Sequence, residues 1–150
     1  MTQTADFLYA TPRHALPILF AGQAQKEFTV NEALARIDLL LHPAVSGSLS
    51  APPEEPITGD CYLVANDATG AFAGQDGAIA GWDGNQWTFV APRNGMRLYD
   101  NTSLQVRHFI GSWTSVATPV EPNGGSVIDL EARATITELV DALKTLGVLA

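Results

Sequence analysis

The sequence predicts an α+β protein: an N-terminal arm and helix, a small antiparallel β-meander, and a C-terminal helix. Three observations carry this. Apolar residues recur every three or four positions between 23 and 42. Short runs rich in β-branched and aromatic residues alternate with Gly, Asn and Asp between 60 and 118. Three-four spacing returns after residue 126. A period near 3.6 marks a helix with one buried face, whereas short runs separated by two-residue turn signals mark hairpins.

Residues 1–22 contain Pro12 and Pro17 without clear periodicity. Proline and the residue before it resist helix, so the segment is expected to be an extended docking arm. Over 23–42, Ala24, Phe28, Ala33, Leu34, Ile37, Leu40 and Leu41 fall on one apolar face. Gln25, Lys26, Glu32, Arg36 and Asp38 fall largely opposite. Thr29 and Val30 are weak helix formers, so a start near Asn31, with that residue as N-cap, is an alternative. Pro43 ends the helix, and 43–59, rich in Pro, Ser and Gly, reads as a loop.

Candidate strands cover 61–65, 78–83, 86–91, 96–100, 103–110 and 112–117, joined by DG, GN, DN and GS turn signals. A weak internal repeat links WDGNQWT at 82–88 with FIGSWT at 109–114, two similar hairpins rather than a solenoid. Residues 119–125 read as a linker and 126–150 as a helix capped by Ser126 or Asp129 and stopped at Gly147. Thr135-x-x-Glu138 matches a capping box, which allows a short turn before the main helix.

Composition narrows the function. The 150 residues are 46% hydrophobic and 16% charged, with a formal net charge of −8. Eight scattered basic residues oppose a nucleic-acid partner, because phosphate binding needs clustered Lys and Arg. No apolar stretch approaches the ~20 residues of a membrane span, so no membrane insertion is expected. The run ALPILFAGQA imitates a signal peptide, but Asp6 before it, Pro17 within it and the amphipathic helix after it argue against cleavage.

No motif carries bond chemistry. His14, His42 and His108 lie in three zones without ligand spacing. Asp67, Asp76 and Asp83 sit in glycine-rich turns but do not follow an EF-hand. Glu54 and Glu55 are adjacent, with no groove between them for paired carboxylate catalysis. Cys61 is the single cysteine and reads as a buried hydrophobe. No enzyme activity, cofactor or metal is expected.

Two surfaces are candidates. If Gly84-Asn85 is the hairpin loop, Trp82 and Trp87 oppose each other on one sheet face; if Asp83-Gly84 is, Trp87 opposes Ala80. An exposed pair would form a sugar platform, with Asn85 and Gln86 beside it and Tyr99 contributing. The competing reading places these rings in the core of the sheet. The second surface is oligomeric: Phe28, Leu34, Ile37 and Leu41 on the first helix, and Ile136, Leu139, Leu143 and Leu146 at a and d of a heptad frame on the last.

The run LPILFAGQAQKEFTVNEALARIDLLLHPAV, followed by PITGDCYLV, ATGAFAGQDGAIAGW and WTFVAPRNGMRLYD, resembles a family of unknown function. That family is common in prophages and gene transfer agents of alphaproteobacteria. Its similar proteins occur among tail-fibre, head-spike and related virion components. The resemblance covers roughly residues 15–115 and implies a structural or attachment role in the virion, with a homotrimer, other virion proteins and host-surface glycan as the expected partners.

Overall fold

The computed structural model describes residues 10–14, 16, 18, 19, 22, 26–120, 124 and 129–149. The chain runs α1 (Lys26–Leu41), β1 (Ala44–Val45), β2 (Ser48–Leu49), β3 (Cys61–Val64), a 3-10 turn at Gly70–Phe72, β4 (Ile79–Trp82), β5 (Trp87–Val90), β6 (Arg97–Asp100), β7 (Gln105–Phe109), β8 (Trp113–Thr114) and α2 (Leu130–Thr145). The two helices flank two mixed four-stranded sheets, an α+β architecture.

The β-zone is not one meander. One sheet has the order β1-β6-β7-β8, the other β2-β3-β4-β5. Each is a three-stranded antiparallel meander carrying one short parallel strand at its edge: β1 on β6, β2 on β3. Both parallel strands come from 43–59, the segment expected to be a loop. They are two residues long and pair with strands distant in sequence, so no local hairpin signal marks them. Ser46 and Gly47 carry the chain from one sheet to the other, the Ser46 N–H donating to the Cys61 carbonyl at 2.8 Å.

The main core lies between α1 and the two sheets. Leu39, Val45, Cys61, Leu63, Ile79 and Leu98 pack there, with Trp113 against them. Trp113 also donates its indole N–H to the Gly77 carbonyl at 2.8 Å, tying the first sheet to the loop before β4. The opposite face of the β2–β5 sheet is closed by the 3-10 turn, whose Phe72 is fully buried among Val64, Ala78 and Ala80. Helix α1 approaches the sheet where β4 has no side chain: a Cβ on Gly81 would lie 2.8 Å from Leu39 Cδ1.

Helix α1 turns a different face inward from the one its pattern suggests. Glu27, Asp38 and Leu39 are its buried residues, while Phe28, Ile37, Leu40 and Leu41 are exposed. The reason is polar. Asp38 is 2% exposed and accepts the Thr11 hydroxyl and the backbone N–H groups of Arg13 and His14 at 2.7–2.9 Å. Three donors offset the desolvation of one carboxylate. Asn31 does not cap the helix but lies inside it, exchanging two hydrogen bonds with the Leu19 backbone. The last turn of α1 has no basic residue; the Arg13 guanidinium closes it from outside, donating to the carbonyls of Leu39 and His42. Thr11, Arg13 and His14 of the expected docking arm are thus bound to the end of α1, and residues 1–9, 15, 17, 20 and 21 of the arm lie outside the described residues.

Helix α2 begins at Asp129, whose carboxylate caps the Ala132 N–H at 2.9 Å. Ser126 lies outside the described residues. Thr135 does not open a capping box: it sits inside α2, its hydroxyl donating to the Glu131 carbonyl. Gly147, at φ +67°, ends the helix, with Val148 N–H returning to the Leu143 carbonyl.

Candidate functional site

The hairpin loop is Gly84-Asn85. Asp83 N–H donates to the Gln86 carbonyl, and Asp83 Oδ1 accepts the backbone N–H groups of Asn85 and Gln86 at 2.8 and 2.7 Å. Trp82 and Trp87 therefore stand in register, ring centroids 5.1 Å apart and tilted by 47°. The other repeat hairpin builds the same device: Phe109 opposes Trp113 at 5.3 Å, edge to face. The weak sequence repeat is thus a repeated cross-strand aromatic pair, one closing each sheet.

The Trp pair is partly core. Both rings are half-buried, and Trp87 also meets Phe72 edge-on at 5.0 Å. Asn85 and Gln86 are exposed beside it. Tyr99 is not: it lies on β6 in the other sheet, where its ring packs beside Gly147. The expected five-residue sugar site is thus four residues in one place and one elsewhere.

The two apolar stripes are placed as follows. On α1, Phe28 is 75% exposed, with Ile37 and Leu41 also exposed and Leu34 half-buried. On α2, Ile136, Leu139 and Leu146 are exposed and Leu143 is half-buried. Helix α2 has no fully buried residue. Its tie to the sheets is the segment after it: Val106 N–H donates to the Gly147 carbonyl at 2.6 Å, and Leu149 is buried.

Beside the aromatic hairpin, an open groove of about 970 Å3 runs between α1 and β5. Pattern reading did not find it, because it depends on Glu27 and Asn31 facing inward. A helical charge flanked by the i+4 residue Asn31 and the i+8 residue Ala35 was the available signal.

Among the described residues, no three His, Cys, Asp or Glu side chains come together as a metal site. Asp76 is engaged with the Ala68 N–H and Asp83 with its own turn. Cys61 is 4% exposed, and burial pushes its thiol up, away from the reactive thiolate. No helix among the described residues is long and apolar enough to cross a membrane.

The chain belongs to a family of unknown function, DUF2793, whose profile matches residues 30–114, more than half of its length and all eight strands. Comparison with curated proteins and with solved structures gives no match.

Proposed function

We propose that the protein is a non-enzymatic structural component of a phage or gene-transfer-agent particle, fibre, spike or baseplate-associated, that assembles with copies of itself and with other virion proteins. The observation that carries the assembly reading is α2. Sixteen residues of helix are marginal alone in water, and this one hides none of its residues fully against its own chain. Leu139 at 60% and Leu146 at 70% exposure, with Ile136, leave an apolar stripe over its outer side. Burial against equivalent helices removes that stripe from water, and a homotrimer is the preferred state. The placement in a virion is supported by the resemblance of residues 15–115 to prophage and gene-transfer-agent proteins.

Light scattering tests it. The wild-type protein is expected at about three times its 15.9 kDa chain mass. The Leu139→Asp, Leu146→Asp double variant is expected to be monomeric, with sheet circular dichroism unchanged. A wild-type monomer at millimolar concentration overturns the reading.

One observation favours a second reading, a carbohydrate-binding module for bacterial surface polysaccharide. The opposed, half-exposed indoles of Trp82 and Trp87 flank the exposed amides of Asn85 and Gln86, the combination that sugar rings use. Glycan binding lost on Trp82→Ala, with the fold retained, supports it; arrays without a hit remove it.

A further inference from the structure

Strand β5 is the outer strand of its sheet. The hairpin bond from Asp83 to Gln86 sets the alternation: Gly81–Thr88 and Ile79–Val90 are bonded pairs, Trp82–Trp87 and Ala80–Phe89 are not. Trp82 agrees, since its N–H and C=O go to Asp60 and Gly59 on the far side. The N–H and C=O groups of Trp87 and Phe89 therefore point away from the sheet, and they make no backbone hydrogen bond to another described residue. Proteins usually blunt such an edge with proline, charge or a bulge. The sequence Trp-Thr-Phe-Val has none of these.

This edge forms one wall of the groove; α1, through Glu27, Phe28, Glu32 and Arg36, and the upstream residues 10–12, 18 and 19 also line it among the described residues. Glu27 is 8% exposed; its Oε1 accepts the Gly22 N–H at 3.3 Å, and its Oε2 is buried without a hydrogen-bond partner. A buried carboxylate oxygen in that state calls for a donor from whatever enters. Arg36 does not serve, because it is bonded to Glu32 at 2.6 Å. Asp83 adds a third carboxylate to the lining. The groove is acidic, and a second copy of a chain with net charge −8 brings the wrong sign.

The geometry points to β-strand addition: an extended, basic segment of another protein pairs with the outer edge of β5 and places a Lys or Arg against Glu27. Main-chain bonds to Trp87 and Phe89 supply affinity that does not depend on side-chain identity, and Glu27 supplies selection for a cation. The inference is independent of the α2-mediated assembly proposed above, since no α2 residue lines the groove.

The test is selection of a displayed random ten-residue peptide library on the full chain. Enriched sequences are expected to be proline-free in their centre, β-branched at alternate positions and to carry Lys or Arg. Synthetic versions are expected to protect the Trp87 and Phe89 amides from hydrogen exchange. Glu27→Gln, checked for an unchanged melting curve, is expected to weaken them about tenfold or more. Central proline or Lys/Arg→Glu versions of the peptides are expected not to bind. No enrichment, enrichment without basic residues, or binding that leaves both amides and the Glu27→Gln variant unaffected overturns the proposal. So does concentration-dependent protection of these amides in the protein alone, which would assign the edge to a second copy.

Discussion

The carboxylate of Asp38 accepts the Thr11 hydroxyl at 2.7 Å, and both residues are buried. One helical side chain thereby fixes a segment more than twenty residues upstream, and with it the Arg13 cap. Asp38→Ala strands three donors and is expected to cost about 3 kcal/mol in urea unfolding. Thr11→Val removes one donor to Asp38 and the acceptor of the Leu16 N–H, and is expected to cost about 1–2 kcal/mol. The double variant is expected to lose less than the sum, because the two share one bond.

Gly81 marks the closest approach of α1 to the sheet. Its backbone is not in the left-handed region, so the effect of a methyl is purely steric. Gly81→Ala meets Leu39 Cδ1 at 2.8 Å and is expected to destabilise by about 1–3 kcal/mol. Leu39→Val shortens the clashing side chain, and in that background the Gly81→Ala penalty is expected to shrink. Equal penalties in both backgrounds would place the strain elsewhere.

Asp100 is 1% exposed, paired with Arg107, and its Oδ1 accepts the Thr102 N–H at 2.8 Å. Burial pushes its carboxyl up, but the Thr102 N–H, the Arg107 guanidinium and the Ser103 N–H together outweigh it, so it titrates below the ordinary value of 3.8. A depressed folded value means that the stabilisation is complete above that ordinary value. It is lost as pH falls through the folded one. Asp100→Asn is expected to lower stability at pH 7 and to flatten the acid limb of the stability profile.

Cys61 is expected to be silent to a disulfide reagent at pH 8 in the native state and to react fully in denaturant. Its burial, the largest influence on it, raises the thiol; the nearby Arg13 charge lowers it less. Fast native labelling would mean that α1 opens from the sheet.

The sequence made the six strands of 61–117 legible, because each is bounded by turn residues that act locally. It left two pairings of the Trp hairpin open, and the Asp83 side chain decides between them by holding the N–H groups of Asn85 and Gln86. Residue type alone groups Tyr99 with Trp82 and Trp87, and no local pattern tells which of two sheets a strand joins. The inner face of α1 is hidden from the pattern for a related reason. Charged residues are assigned outward by default, and the donors that keep Asp38 inside come from Thr11, Arg13 and His14, out of reach of any helical period. Strands β1 and β2 are not legible in the sequence because two-residue parallel pairings have no signature until their partners are known.

Those two short strands also set a timetable. Ser48 meets Leu63 across 15 positions, whereas Ala44 meets Tyr99 across 55. Closing the longer loop costs about 1.1 kcal/mol more chain entropy. The half-domain built on β2 is therefore expected to mature first as the chain leaves the ribosome. The dipeptide four residues upstream of Ser48 then stands ready as a template, waiting for the last three strands to be synthesised and zip onto it.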